Sequence, residues 1–437
     1  MKNYIITSYI PNTHIDAKFV ETLNSFCKHN SAELQILQCK ENYISDSVQP
    51  LEQAIRDEFG ESIKLKGYNL NSHLHVSEFQ TSINTIDPLV GMESMAAKHG
   101  CLILPFPRHR FKTVPRMLKE SGTPRAIWCT GSISEADSYK NNKSGRRMKD
   151  FHIKGALFVQ IENDKIFHIR QVTFDGKGFY DLNTYYEGSK IVKNIRPEAV
   201  IMGDDHATFQ KKEAMESTIG MIKALDIRKI VRHDTLDSNS ISHHLDGKKL
   251  SKALVGLTLE KELKLTSDSF QKFEDLFPKA MQYSVASNHP EHLNRYIDEG
   301  RYRDDYPNHV IALELALAMA KGEDVYEYSM KKYNKLKNVI FLQRKDSVKL
   351  QGVEIADHGD EGANGSRGTP REKGITYSGK VVTGHSHSPE IGVFNNYVTG
   401  TLTHLSLSYT KDSGSSGWLN TNVLIYPNGT MTHIHII

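Results

Sequence analysis

The sequence predicts an α/β protein, and two patterns carry that prediction. Near the amino terminus, an apolar run at 4–10, a helically spaced segment at 16–29 and a second apolar run at 33–39 form a β-α-β unit. Beyond residue 198, short apolar runs alternate with helical segments, and each run ends in polar residues. Such runs are typical of buried parallel strands, whose carboxyl ends meet at one edge of a sheet.

Length and composition describe a globular chain with more than one core. Its 437 residues favour two or three domains, and we place the boundary in the polar segment 187–197. Residues 1–190 form a mixed α/β domain with a nucleic-acid-binding or assembly role, and 198–437 form the second domain. No apolar run is long enough to span a bilayer and no signal peptide is evident, so we expect a cytoplasmic protein without a membrane partner.

The elements of the first part follow from local patterns. Residues 50–59 suggest a helix with proline in its first turn. Short apolar runs at 101–105 and 125–129 predict buried strands. Alternation over 154–174, interrupted by a polar turn at 162–165, predicts an antiparallel hairpin.

The second part repeats strand and helix. Predicted strands lie at 198–202, 227–232, 281–286, 353–356 and 380–383, and predicted helices at 211–225, 250–280 and within 309–337. A final hairpin turns at Asn428 and Gly429.

Two basic loops within 1–190 suit contacts to a phosphate backbone, because cations alternate there with aromatic side chains. The alternative for either segment is an ordinary solvated loop. A net charge of +3 permits a polyanionic partner without requiring one. The cations of the first segment are Arg108, Arg110, Lys112 and Arg116, and those of the second are Lys140, Lys143, Arg146, Arg147 and Lys149.

The run at 198–202 leads into two acids and a histidine. Because strand side chains alternate, Asp204 and His206 point the same way and Asp205 points opposite. Asp and His on one side of a strand end can bind a divalent metal, although acids also commonly follow a strand in a plain turn. Asp234 lies 30 residues later, the size of one βαβ unit, so it should arrive beside them.

Five strand ends in succession carry metal-competent residues, and their order resembles the calcineurin-like metallophosphoesterase superfamily. The family motifs read D-x-H, G-D-x-x-D, G-N-H-[DE], a lone His and G-H-x-H. Their counterparts here are Asp204 and His206; Asp234 and Asp237; Asn288 and His289; His358; and His385 and His387.

The resemblance implies an α/β/β/α sandwich for 198–437 and a site for two divalent ions, with Mn²⁺ favoured and Fe or Zn as alternatives. Two such ions can acidify a bridging water and clamp the phosphate in an in-line displacement. His289 would stabilise the transition state or protonate the leaving oxygen. The implied ligands are Asp204, His206, Asp234 and His387 for one ion, and Asp234, Asn288, His358 and His385 for the other.

The chain departs from the family motifs at three positions. His233 and Ser287 stand where the family has glycine, and Pro290 replaces the acid after His289. The sequence therefore does not show which group hydrogen-bonds to His289 in place of that acid. Asp237 matches the outer acid of the second motif and is interpreted as a structural hydrogen bonder.

Among phosphoesters, DNA is the favoured substrate, because of the basic segments and of Arg367 and Arg371 near His358. The arrangement also resembles the manganese-dependent early nucleases with which some tailed phages degrade host DNA, which would place the protein in the host cytoplasm. The alternatives are a phosphatase or phosphodiesterase acting on a small nucleotide or phosphoprotein, and a catalytically weak, metal-containing DNA-binding factor. A homo-oligomer is expected on base rates alone.

Overall fold

The computed structural model describes residues 1–40, 50–117, 125–137, 139–242, 256–407 and 414–436. They contain ten α-helices, numbered α1–α10 in chain order: Ala17–Asn30, Pro50–Phe59, Glu93–His99, Lys143–Asp150, Lys212–Ala224, Leu259–Leu276, Asn288–Asp298, His309–Ala320, Val325–Tyr333 and Pro370–Thr376. The strands before residue 198 are β1–β14: Lys2–Tyr9, Ala32–Gln38, Ile63–Lys64, Tyr68–Asn71, Leu74–Val76, Cys101–Leu104, Phe111–Val114, Arg116–Met117, Arg125–Cys129, Gly155–Ile161, Phe167–Thr173, Phe179–Asp181, Thr184–Glu187 and Lys190–Val192. Those after it are β15–β26: Ala199–Ile201, Lys229–Arg232, Met281–Ser284, Val339–Phe341, Lys349–Leu350, Val353–Glu354, Val382–Thr383, Glu390–Ile391, Tyr397–Val398, Ser415–Ser416, Thr421–Ile425 and Met431–His435.

A six-stranded sheet carries the first three predicted strand ends. Its order is β18-β17-β16-β15-β25-β26, and β15 to β18 are mutually parallel while β25 and β26 form an antiparallel hairpin at one side. The carboxyl ends of β15, β16 and β17 therefore lie along one edge, as predicted. Helix α5 makes the crossover from β15 to β16, and α6 lies between β16 and β17 in the chain.

An eight-stranded sheet faces the first one and draws strands from both parts of the chain. Its order is β21-β23-β22-β7-β9-β6-β5-β4, with β22 antiparallel to β7. This sheet crosses the domain boundary predicted at 187–197. Sequence patterns around β7 could not reveal this, because the partner strand is some 280 residues away.

Alternating side chains hold the layers together. In β15, Ala199 and Ile201 belong to the core between the two sheets, whereas Val200 packs against α5 on the outside. In β6, Ile103 faces the same inner core and Leu104 packs with α3 and α4 on the other outer face. The described chain is thus a mixed α/β structure, with two sheets packed face to face and helices outside both.

A five-stranded sheet near the amino terminus confirms the β-α-β unit predicted for residues 4–39. Its order is β11-β10-β1-β2-β3, with β1 and β2 parallel and joined by α1, and with β10 and β11 as the predicted antiparallel hairpin. Asp16 caps α1, its carboxylate accepting a hydrogen bond from the amide of Phe19 at 2.9 Å. Within the part of the chain that the structure describes, no helix is both long and apolar enough to cross a membrane.

Two segments interpreted as basic loops contain regular structure. Residues 111–114 form β7 inside the eight-stranded sheet, and Lys143–Asp150 form α4, which Asn142 caps by accepting from the amide of Gly145 at 2.8 Å. The predicted helix over 250–280 is observed as Leu259–Leu276, and residues 243–255 lie outside the described part.

Candidate metal centre

The site lies where the edge of the six-stranded sheet meets the end of β21 in the facing sheet. Past β15 and β16 the backbones stay paired, because the amide of His206 donates to the carbonyl of Asp234 at 2.8 Å. The segment after β23 runs alongside, with the amide of Asp204 donating to Gly400 at 3.0 Å and that of Leu402 to Asp204 at 2.9 Å. Three chain segments therefore fix the position of Asp204.

One cluster contains four buried side chains whose ligand atoms all lie within 4.8 Å of one another: Asp204, His206, Asp234 and His387. The Nε2 atom of His387 lies 3.1 Å from a carboxylate oxygen of Asp204 and 2.9 Å from Nε2 of His206. These are the four residues that the resemblance implies for the first ion.

A second cluster shares Asp234 with the first and adds His358 and His385. Nε2 of His358 lies 3.0 Å from the Asp234 carboxylate, and the rings of His358 and His385 meet edge to face with centroids 5.3 Å apart. The sharing puts Asp234 between two groups of ligand atoms, which is where a bridging carboxylate belongs.

The backbone at these positions adopts an unusual conformation. His206, Asp234, His385 and His387 all have positive φ angles, between 43° and 72°. Left-handed backbone at non-glycine residues costs about 1–3 kcal/mol each and concentrates at functional sites. Gly384 has a steric reason as well, because a β-carbon there would lie 2.2 Å from Oδ1 of Asp204.

Asn288 and His289 open helix α7, directly after β17. Nδ1 of His289 bonds the backbone carbonyl of Asp237 at 2.7 Å, and its Nε2 lies 3.9 Å from the Asp234 carboxylate. The backbone therefore provides the hydrogen-bond partner that the replaced acid left open. Pro290 occupies the first turn of α7, where backbone amides need no helical acceptor, so its missing N–H is tolerated.

Burial and mutual charge displace the pKa values within the cluster. Burial would raise the pKa of Asp204, but the hydrogen bond and charge of His387 lower it to about 2, and the pKa of Asp234 lies well below its usual value. Burial would lower the pKa of His206 and of His358. Asp237 and Asp234 respectively overcome that effect and raise each pKa to about 9. The two carboxylates are therefore ionised at neutral pH, the form in which they bind cations.

Asp237 and His233 hold the rings of His206 and His358 in place. The Asp237 carboxylate accepts from Nδ1 of His206 at 2.7 Å, which leaves Nε2 facing the cluster, and this fits its interpretation as a structural hydrogen bonder. On the other side, Nδ1 of His233 lies 3.2 Å from Nδ1 of His358, with the two rings stacked. In the sequence, His233 was noticed only because it stands where the family has glycine, and nothing there indicated its contact with His358.

Unpartnered oxygens test whether these residues fit a metal. Oδ1 of Asp204, Oδ1 of Asp234 and Oδ1 of Asn288 are buried without a hydrogen-bond partner. Buried carboxylate oxygens normally have partners, and two adjacent buried carboxylates repel each other. A donor set of carboxylate, imidazole and amide groups with free lone pairs suits a divalent cation, so the residues fit.

Asp205 points to the opposite side of β15, as alternation predicts. It is fully buried beside Arg232, whose Nε donates to its carboxylate at 2.8 Å. Arg232 is also buried, between the rings of Phe270 and Phe273 at 4.4 and 4.6 Å. Replacing Asp205 would leave this cation unpaired.

The predicted phosphate-binding arginines fall into two groups. Arg108 and Arg110 are buried: Arg108 donates to the carbonyls of Thr85 and Val393, and Arg110 pairs with Asp87 at 2.8 Å. The prediction that they contact substrate is therefore wrong, because their guanidinium groups are turned into the protein. In contrast, Arg146, Arg367 and Arg371 are exposed and Arg147 is partly so.

Trp418 is a residue that sequence reasoning missed. Its ring meets that of His387 edge to face, with centroids 4.2 Å apart, and it is only partly buried. Trp418 follows strand β24, which pairs with β8. Its position therefore depends on a contact between distant parts of the chain. No local motif could have indicated this position.

Comparisons with known proteins find a relative encoded by a bacteriophage. Protein A1 of Escherichia phage T5 is 30% identical to this chain over 472 aligned residues, which cover 99% of this chain and 81% of that protein. No protein-family model matches the chain, and no solved structure matches it. The relative's name states no activity, so the chemistry has to be argued from the residues of the site.

Proposed function

This chain belongs to the family of Protein A1 of Escherichia phage T5, and we propose that it is a metal-dependent nuclease that hydrolyses phosphodiester bonds of DNA. One observation carries the metal-dependent chemistry. Two groups of ligand atoms, from side chains that are all buried except the partly exposed His385, share Asp234, and the Asp204 and Asp234 carboxylates each have an oxygen with no hydrogen-bond partner.

The residues that would hold the ions are the seven named above from the strand ends. Divalent ions bound there would supply Lewis acidity toward the phosphate and lower the pKa of water. Four of these residues, Asp204, His206, Asp234 and His358, are buried. This burial makes electrostatic interactions with a phosphate stronger than they would be in water.

His289 is placed to handle a proton. Its side chain is 21% exposed, and Nδ1 is held by the Asp237 carbonyl. A carbonyl accepts a hydrogen bond, so it fixes the proton on Nδ1 and sets the orientation of the ring. Nε2 faces the cluster, and in the imidazolium form, which carries a second proton there, it can donate to a phosphate oxygen or pass that proton to the leaving oxygen.

DNA as substrate is supported by exposed cations and by the resemblance to phage early nucleases. Arg367 and Arg371 lie in the exposed segment that follows His358, and Arg146 is exposed on α4. Guanidinium groups bind phosphate oxygens in pairs, which suits a polymer backbone. With Arg108 and Arg110 buried, the substrate surface proposed here is smaller than the sequence predicted.

The proposal is tested by digesting linear and circular DNA with chelator-treated protein to which Mn²⁺, Mg²⁺ or Zn²⁺ is returned. We expect Mn²⁺-dependent cleavage by the wild type and none by Asp204→Ala. His289→Ala should retain metal while turnover falls by about 10²–10⁴-fold, the usual share of a general acid. His168→Ala is the control, because that histidine pairs with Glu162 on the exposed face of β11.

Two outcomes would separate the parts of the proposal. Turnover of a chromogenic diester without cleavage of any DNA would keep the phosphoesterase and replace the nuclease with an enzyme acting on small substrates. Bound metal with no turnover of any phosphoester would overturn the enzymatic proposal.

A further inference from the structure

Helix α8 exposes a continuous apolar surface. Tyr306 and Val310 are 81% and 82% exposed, and Leu313 and Leu317 are 49% and 57% exposed. Together with the exposed Ala320 they are spaced by four, three, four and three residues, so they lie on one side of the helix and the turn that precedes it. We call these five residues the α8 stripe.

The opposite side of the same helix is already buried. Ile311, Ala312 and Leu315 pack into one core with residues of α6, α7 and α9, and Ala318 is also buried. Glu314 is the one charged residue of His309–Ala320, and it is engaged with Tyr328 and Lys332 on α9. A helix that is apolar all round normally has both faces covered, whereas single exposed hydrophobic residues need no explanation.

The two ends of the stripe carry complementary charges. Exposed Arg303 and Asp304 precede it, and exposed Lys321 and Glu323 follow it. If a second copy lies antiparallel, Arg303 of one copy meets Glu323 of the other, and Asp304 meets Lys321. The first pair then centres on Leu313 and the second between Ala312 and Leu313. A parallel arrangement would instead set each charge against its own kind.

We propose that the α8 stripe is the surface by which two copies of this chain associate, with α8 antiparallel to its counterpart about a two-fold axis near Leu313. Such an interface is isologous, as in most homodimers. A 12-residue helix is about 18 Å long, so the contact lies at the small end of protein interfaces and we expect a dissociation constant in the micromolar range. This inference does not depend on the metal centre or on nuclease activity.

The first test is sedimentation equilibrium of the full chain from about 0.1 to 100 µM, a range set around the expected affinity. We expect self-association that Leu313→Glu weakens at least tenfold. Val90→Glu is the matched control, since Val90 is 70% exposed outside the stripe, and it should leave association unchanged. Circular dichroism confirms that each variant is folded.

A wild type that stays monomeric throughout this range would overturn the proposal and assign the stripe to a different partner. Association that Leu313→Glu leaves unchanged would also overturn it.

A charge reversal tests the antiparallel arrangement. Arg303→Glu and Glu323→Arg should each weaken association, because each places like charges together across the interface. The double variant should recover most of the wild-type affinity. If the double variant is as weak as the single ones, the antiparallel arrangement is wrong.

Discussion

Two adjacent acids at the end of β15 are both fully buried, yet their surroundings differ. Asp205 faces the helix side of the six-stranded sheet, where Gln210 donates to one carboxylate oxygen and Arg232 to the other. Arg232 in turn donates to Gln282 at 3.2 Å and Ser269 at 2.6 Å. Asp204 faces the second sheet, where one of its oxygens has no partner and another carboxylate, Asp234, lies close by.

The difference separates a structural cluster from a ligand site. Around Asp205 charge and hydrogen bonds are satisfied within the protein, so the cluster needs nothing further. Around Asp204 buried oxygens of like charge are left with free lone pairs, an arrangement that a bound cation would stabilise. Burial alone would not have distinguished these two neighbours.

The largest expected effect is a loss of folding stability when the buried pair of Asp205 and Arg232 is broken. Asp205→Ala should lower the free energy of unfolding by about 3–5 kcal/mol, because it leaves the Arg232 cation buried and unpaired. Urea denaturation in the presence of a chelator measures this, with Asp204→Asn as the control. The control should lower the free energy of unfolding by less, about 2 kcal/mol, because it removes a charge that His387 stabilises enough to hold the pKa of Asp204 at about 2. Equal losses in the two variants would contradict the comparison.

The next effect concerns stabilisation by metal. Mn²⁺ at a hundredfold excess over its dissociation constant should stabilise the wild type by about 2.7 kcal/mol. The same concentration should leave Asp204→Asn nearly unchanged, because a ligand has been lost. Thermal unfolding with and without Mn²⁺ measures both, and Asp205→Asn should still respond. If Mn²⁺ stabilises Asp204→Asn as much as it stabilises the wild type, Asp204 is not a metal ligand.

A smaller effect is expected at Asp237, which orients His206 without facing the cluster itself. Asp237→Asn should weaken Mn²⁺ binding by about 10- to 100-fold, the range for carboxylates behind a metal-binding histidine. Calorimetric titration measures the affinity. Asp357→Asn provides a matched control, because that carboxylate pairs with Lys373 at 2.6 Å. Similar losses in both variants would mean that Asp237 acts on overall stability instead.

The smallest effect is a pH dependence of the metal-free protein. Because the folded pKa values of His206 and His358 are raised to about 9, their contribution to stability is fully present below pH 6.5, the ordinary pKa of histidine, and is lost as pH rises through 9. Their titrations are linked through Asp234, so the net loss should be smaller than the sum of two independent shifts. Urea midpoints from pH 6 to 9 measure it. Asp234→Asn should flatten the slope and Asp205→Asn should keep it, and a slope unchanged in Asp234→Asn would contradict this assignment.

Local patterns placed three of the predicted ligands, whereas the other four were implied only by the family resemblance. Alternation placed Asp204 and His206 on one side of a strand, and the length of a βαβ unit brought Asp234 beside them. Both inferences use periodicities that the backbone imposes. The mixed α/β class was predictable for the same reason.

Other features depended on distant contacts, which no local pattern contains. Strand β7 was interpreted as part of a loop because its partner β22 lies in the last fifth of the chain. Arg108 and Arg110 have the composition of a phosphate-binding surface, and only their burial against partners such as Asp87 and Val393 shows otherwise. The stacking of His233 on His358 joins residues 125 positions apart.

The most direct test is a Mn²⁺ titration of the chelator-treated wild type and of Asp234→Asn, followed by the electron paramagnetic resonance signal of free Mn²⁺. Asp234 is shared by the two groups of ligand atoms, so the wild type should bind two equivalents and Asp234→Asn should lose at least one of them. Asp205→Asn should bind as the wild type does. If the wild type takes up no Mn²⁺, or if Asp234→Asn binds as much as the wild type, the two groups of ligand atoms that share Asp234 do not form a metal centre.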